Sequence, residues 1–239
     1  MRKLGQPLLQ SLPGELRTAL SQVSFEIKTL RIVKRSRGDF NKLPNDGNLK
    51  LNLGCGTDVK PGWINIDLAL NSPPVFDADS RPATIFINHD LRRRIPLARD
   101  SCDFIYSSHF FEHVEYDQAI KLMRECYQLL KPGGTFRISL PDFKGACAAY
   151  LRNDRAYFDL VDVDLFLPEV ETGTLALVDF MNFAAYQSGE HKRLFDEEKV
   201  VLLLKNIGYS SVEVSSFQSE IDAPGEVRTR YSFYVEARK

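Results

Sequence analysis

Apolar residues recur along this chain with two different periods, and the changes of period mark its elements. Near the start, Leu16, Leu20, Val23, Ile27 and Leu30 alternate spacings of four and three, which predicts a helix with one apolar stripe. Pro13 suits the first turn of that helix. The stripe admits three uses. It can pack on the rest of the chain, form the seam of a homodimer, or lie on a membrane surface, the last encouraged by Lys28, Arg31, Lys34, Arg35 and Arg37. Asn45-Asp46-Gly47 predicts a turn that closes this arm, residues 1–47.

From residue 48 onward the pattern alternates short apolar runs with helical stretches. Strands are predicted near 49–54, 63–67, 84–88, 103–107 and 134–140, with two closing strands at Ser211–Phe217 and Tyr231–Ala237. Asp117 to Leu130 predicts a helix whose buried side comes from Ile120, Leu122, Met123, Tyr127, Leu129 and Leu130, ended by Lys131-Pro132-Gly133-Gly134. Asp196 to Asn206 predicts another, with Asp196 as N-cap and Gly208 past its end. Alternation of this kind predicts an α/β fold, a seven-stranded, mostly parallel sheet with helices on both faces and an antiparallel final pair. Only Thr57 to Gly62 separate the first two strands. A crossover helix does not fit there, so a turn is expected and a ligand would rest on loop amides. Residues 142–195 read as an insertion of two or three helices, rich in aromatics: Tyr150, Tyr157, Phe158, Phe166, Phe180, Phe183 and Tyr186. They would form either a lid over a ligand or the insertion's own core.

Composition narrows the compartment more than the chemistry. The 239 residues fit one α/β domain, 48–239, carrying the helical arm. A net charge of −1 gives no global case for nucleic-acid binding. Cys55, Cys102, Cys126 and Cys147 form no C-x-x-C pair and have no histidine at zinc-finger spacing, so reduced thiols in the cytoplasm are expected, with no metal. No apolar run is long enough to span a membrane, and Leu4 to Leu12 is too interrupted for a signal-peptide core.

The candidate chemistry begins where the first strand meets glycine, at Leu49-Lys50-Leu51-Asn52-Leu53-Gly54-Cys55-Gly56, with Asp67 ending the second strand. Glycines let backbone approach a ligand, and a carboxylate one strand over can accept from a ribose diol. That pairing describes a nucleoside site. Four further segments follow in order: His89-Asp90-Leu91; Phe104 to Ser108; His109-Phe110-Phe111-Glu112-His113-Val114; and Leu130-Lys131-Pro132-Gly133-Gly134 to Ser139. Together, over residues 48–142, these resemble the class I S-adenosylmethionine-dependent methyltransferases, the small type 11 group in particular. His191-Lys192-Arg193-Leu194-Phe195-Asp196 and Ser232 to Ala237 are also similar to a bacterial subset found with polysaccharide-synthesis genes.

The resemblance implies a Rossmann-like fold and S-adenosylmethionine as cofactor. It implies that Asn52, Leu53, Gly54, Cys55 and Gly56 meet the methionine part, that Asp67 and Leu68 lie at the ribose, and that Asp90 accepts from the adenine amine while the Leu91 amide meets the ring. Ser107, Ser108 and His113 would edge the cofactor pocket. His109 and His191 are the candidate bases, since histidine titrates near neutrality. Arg92-Arg93-Arg94 reads as a solvated run or an anion contact; Arg152, Arg155, Lys192 and Arg193 could meet a phosphate-bearing substrate. The chain lacks G-x-x-x-x-G-K, H-E-x-x-H and G-x-S-x-G, and Ser107-Ser108-His109-Phe110 replaces the Asn-Pro-Pro-aromatic tetrapeptide of amino-directed nucleic-acid methyltransferases. The expected activity is in-line methyl transfer to a small-molecule or glycan hydroxyl, with no nucleic-acid partner. The alternatives are a non-catalytic cofactor-binding subunit and a nicotinamide oxidoreductase, the latter opposed by Val59 at the third glycine position.

Overall fold

Leu49–Leu53 (β1) buries four of its five residues, the near-continuous burial of a strand covered on both faces. In the computed structural model, which describes residues 12–44, 48–70, 84–161 and 172–239, β1 lies in the middle of the sheet. Ile64–Asp67 (β2) and Cys102–Ser108 (β4) flank it, both parallel, with Ile85–Asn88 (β3) beyond β2. Leu130–Pro141 (β5) pairs in parallel with β4. Ser232–Arg238 (β7) runs antiparallel between β5 and the edge strand Ser211–Ser215 (β6). The order is therefore β3-β2-β1-β4-β5-β7-β6. It reverses between β1 and β4, which is where open α/β sheets place their ligands.

The body helices follow their sequence signals closely. Tyr116–Leu129 (α2) buries Ala119, Leu122, Met123, Cys126 and Leu129, a three-four alternation against the sheet. Ile120 and Tyr127 pack only partly, because they sit at the margins of that stripe. Glu197–Ile207 (α5) starts with the Asp196 carboxylate accepting from the Lys199 amide and ends on Gly208 at φ 116°. Among its described residues the insertion contains Phe143–Leu151 (α3) and Leu177–Tyr186 (α4), with short 3₁₀ turns at Arg155–Phe158 and Thr172–Thr174. Ala146, Ala149, Phe158, Leu177 and Phe180 form a second core, separate from that under the sheet. A short helix, Glu226–Arg230 (α6), precedes β7.

The N-terminal helix, Gly14–Phe40 (α1), is where the periodic reading needs correction. The stripe Leu16, Leu20, Val23, Ile27 and Leu30 is exposed, between 42% and 56% for each residue, and does not pack on the body. A different face docks. Thr29, Ser36 and Phe40 are buried, with Ser36 Oγ 2.7 Å from His89 Nδ1 and the Phe40 ring edge-on to the same imidazole. Periodicity reveals that a helix has an apolar face, but not what covers it. Glu26 adds ion pairs to Arg92 at 2.8 Å and Arg93 at 3.2 Å. Those two arginines are therefore a latch on α1 and not a solvated run. Among the described residues, no helix is long and apolar enough to cross a membrane. The Asn45-Asp46-Gly47 turn, residues 4–11 of the interrupted N-terminal apolar stretch, and Phe166 lie outside the described residues.

Candidate active site

Where β1 ends, the chain turns on Gly54 and Gly56, both in the left-handed region at φ 65° and 51°. Gly54 has a second reason to be glycine, since a Cβ there would overlap the Phe110 ring. The loop to β2 contains no helix, as its length required. Two buried asparagines hold it instead. Asn65 Oδ1 accepts from the Lys60 amide at 2.8 Å and from Asn52 Nδ2 at 3.0 Å. Asn52 Nδ2 also donates to the Asp58 carbonyl at 2.7 Å. Asn65 Nδ2 reaches the carbonyls of Lys60, Trp63 and Ile85. The Asp67 carboxylate accepts from the Gly56 amide and from the Leu68 amide, each at 2.6 Å. A carboxylate oxygen has two lone pairs, so both oxygens retain capacity for a ligand.

These residues line a cavity of about 720 Å³. Asn52, Gly54, Cys55, Gly56 and Asp67 form one wall; Ser108, His109, Phe110 and His113 form another; Ala223, Pro224 and Arg228 form the third. Leu53, Leu68, Leu91 and Ser107 do not line it. Leu53 is buried in the core, and Ser107 donates its hydroxyl to the Leu53 carbonyl at 2.9 Å, tying β4 to β1. Asp90 also lies outside the lining. Arg92 grips both its oxygens, Nε at 3.0 Å from Oδ1 and Nη2 at 2.7 Å from Oδ2.

A second cavity, of about 270 Å³, opens against the insertion. Its walls are largely apolar, including Phe143, Tyr157, Phe158, Phe180, Phe183 and Tyr231, with His191, Asp142 and Gln187 among the polar groups. The insertion's aromatics thus make both its own core and a cavity wall. His109 and Arg228 line both cavities. Arg152, Arg155, Lys192 and Arg193 line neither. Arg193 lies over the Tyr116 ring at 3.7 Å, and Lys192 donates to the Gly189 carbonyl.

The histidines cluster around one acid. Glu112 is 2% exposed, in the 3₁₀ turn Phe111–His113, and neither carboxylate oxygen has a hydrogen-bond partner. Burial pushes its pKa up to about 8. His109 Nδ1 and His113 Nε2 approach Glu112 Oε1 at 3.6 and 3.9 Å, and the His113 and His191 rings meet at 5.0 Å. Burial lowers the pKa of all three histidines, most strongly for His109, where the charges of Arg228, His191 and His113 add to it. Burial thus favours the uncharged form of the acid and of the imidazoles around it. His109 occupies the left-handed region, φ 48°, at the end of β4, with Nε2 2.7 Å from Ser232 Oγ.

Three contributors have no signal in the linear sequence. Asn65 looks like any polar residue within a strand. Arg228 comes from α6, far along the chain, and its Nη1 is buried without a partner. Arg137, at the centre of β5, holds Asp222 and with it the Ala223–Pro224 wall.

Residues 51–138 match the family model described as a methyltransferase domain. No curated protein matches the chain. Among solved structures, a SAM-dependent methyltransferase from Archaeoglobus fulgidus is similar over 90% of this chain and 94% of its own, with 17% identity and a TM-score of 0.47. One from Mesorhizobium loti is similar over 86% and 96%, with 18% identity and a TM-score of 0.46. A third structure, a complex of the Haloferax volcanii Trm112 methyltransferase activator with a putative methyltransferase, is similar over 92% and 93%, at 16% identity and a TM-score of 0.46. The family model lies over the glycine turn, Asp67 and the β4 end, so residues 51–138 of this chain form a methyltransferase domain.

Proposed function

We propose that the protein transfers the methyl group of S-adenosylmethionine to a hydroxyl of a small molecule seated against the aromatic insertion. One observation carries the reading: a glycine-and-carboxylate cavity and an apolar cavity meet at His109 and Arg228. In this reading Gly54, Cys55 and Gly56 take the methionine part and Asp67 the ribose diol. Asn52 shapes their loop, Ser108 and His113 close the far wall, and Asp90 anchors α1 through Arg92.

The sulfonium already activates the methyl group, so the protein supplies no nucleophile. It must place an acceptor lone pair in line with the methyl carbon, which can contribute about 7–11 kcal/mol of barrier reduction. His109, neutral and at the junction, takes the hydroxyl proton, an effect worth about 10²–10⁴-fold. His191 lines the acceptor cavity and borders the same cluster. Aromatic walls suit an acceptor with an apolar ring face. A sugar ring also offers such a face, so the glycan acceptors suggested by the narrower resemblance belong in the same reading. Four free thiols suit a reducing compartment such as the cytoplasm.

The exposed stripe on α1 favours a second reading, a cofactor-binding subunit that acts through a partner or a second copy of itself. Release of S-adenosylhomocysteine across a panel of small alcohols, phenols, nucleotide sugars and glycans separates the two. Turnover on the panel supports the proposal. Turnover confined to proteins or RNA sinks it, and tight donor binding with no turnover on any acceptor supports the subunit.

A further inference from the structure

Glu112, His113 and His191 each offer one ligand atom, and these atoms all lie within 4.8 Å of one another. We propose that they bind one divalent transition-metal ion at the junction of the two cavities. His113 belongs to the wall of the donor cavity and His191 to that of the acceptor cavity, so an ion between them sits between donor and acceptor.

Three independent features of the fold point to a ligand. The first is the pair of Glu112 oxygens, buried and without a hydrogen-bond partner. Buried carboxyl groups are normally paired, and an orphaned one is costly. The second is His191, whose Nδ1 lies 3.2 Å from the Ala184 carbonyl while its Nε2 is buried and unpartnered. A ring N–H held by a backbone carbonyl fixes the tautomer that leaves the other nitrogen as a lone pair, the usual support of a metal-bound histidine. The third is the scaffold. The Lys192 amide donates to the Glu112 carbonyl at 2.7 Å and the Arg193 amide to the same oxygen at 3.3 Å. The segment carrying His191 is thereby tied to the turn carrying Glu112 and His113.

Two imidazoles and one carboxylate suit Zn²⁺, Fe²⁺, Co²⁺ or Mn²⁺ and leave positions open for a further ligand. A tetrahedral ion of this kind separates its ligand atoms by about 3.4 Å, so rotation about the side-chain torsions draws the present spacing in. An acceptor hydroxyl would fill an open position, where the ion polarises it. That role rests on the methyl-transfer reading; the binding itself does not.

The test uses the chelator-treated full chain titrated with Co²⁺, then with Zn²⁺ as competitor. The expected result is one equivalent of Co²⁺ with visible d–d bands, no thiolate charge-transfer band, and displacement by Zn²⁺. His191→Ala and Glu112→Gln should each weaken Co²⁺ binding beyond the roughly 10–100-fold brought by loss of an outer-shell partner. Titration with S-adenosylhomocysteine checks the fold of each variant and tests the donor cavity independently. Should one variant lose donor binding, its thermal unfolding transition separates loss of fold from loss of the site. Absence of stoichiometric Co²⁺ binding by the wild type, or undiminished binding by folded variants, overturns the site and leaves the methyl-transfer reading standing. Metal binding without donor binding would do the reverse.

Discussion

Arg137 and Asp222 form a two-pronged ion pair inside the protein, Nε to Oδ1 at 2.7 Å and Nη2 to Oδ2 at 2.6 Å, with 0% and 1% of the two side chains exposed. The remaining guanidinium donors reach Ser215 Oγ and the Ser216 carbonyl. The pair fastens the segment after β6 to the middle of the sheet. Next to it the Ala223 amide donates to the Tyr106 hydroxyl at 2.8 Å, which sets the third wall of the donor cavity. Asp222→Ala strips a buried guanidinium of its two-pronged partner, leaving only Glu236 Oε2 at 3.4 Å as counter-charge, and should lower the unfolding free energy by about 3–5 kcal/mol. Urea unfolding checks this. The double replacement Arg137→Met with Asp222→Leu should recover most of the loss, and a wild-type transition in Asp222→Ala would refute the account.

Asp67 holds the Gly56 amide and faces the donor cavity. Hydrogen bonds to a charged group are worth about 1.5–3 kcal/mol, so Asp67→Ala should weaken S-adenosylhomocysteine binding by roughly 10–150-fold. Calorimetric titration measures it. Unchanged affinity would remove Asp67 from the ribose.

The two glycines of the turn should respond differently to alanine. At Gly56 a Cβ meets open space, so Gly56→Ala carries only the left-handed backbone strain, about 1–2 kcal/mol. At Gly54 the same strain adds to overlap with the Phe110 ring, and the larger loss of thermal stability belongs there. Equal melting temperatures for the two variants would contradict the packing.

His109 joins the cavities without holding the donor turn. His109→Gln should leave S-adenosylhomocysteine affinity within a few-fold while slowing turnover by about 10²–10⁴-fold on an acceptor found in the screen. Loss of affinity with turnover preserved at saturation would assign it to binding.

Asp90 sets an acid limit on the docking of α1. Burial pushes its carboxyl up, but hydrogen bonds from the Arg92 side chain and amide outweigh that push, so its pKa lies below the ordinary 3.8. A lowered carboxyl contributes stability that is complete above its unfolded value and is lost as pH falls through the folded one. In Arg92→Met only the residue-92 amide and the charge of Arg93 still oppose burial, so the Asp90 pKa moves up. The variant should then melt lower than the wild type near pH 6, and the gap should close as pH falls through the ordinary carboxylate range, followed by melting between about pH 2 and 6. Superimposed profiles would deny the latch.

The parts of this protein that read plainly from the sequence are those whose cause is local. The β1-to-Gly54 junction, the Asp196 cap, the Gly208 stop and the missing helix after Gly56 each follow from a few adjacent residues. The α1 stripe was visible as a pattern, yet its exposure depended on Ser36 and Phe40 finding His89 more than fifty residues away from Ser36, with the latch at Arg92. Arg228, the Arg137–Asp222 pair and the meeting of His191 with Glu112 are contacts of long sequence separation. No spacing rule encodes them, because the sheet order brings those segments together.

The two cores divide the labour of the molecule. The sheet core carries the glycine turn and Asp67, while the small core around Phe158 and Phe180 supplies part of the wall of the second cavity. Under the proposed function, acceptor choice can therefore drift without disturbing the donor machinery, since residues exchanged on α3 and α4 alter one surface and leave the other intact. A graft of the 142–191 stretch from a relative with another acceptor becomes a transplant of taste onto an unchanged engine, with His109 and Arg228 as the fixed seam.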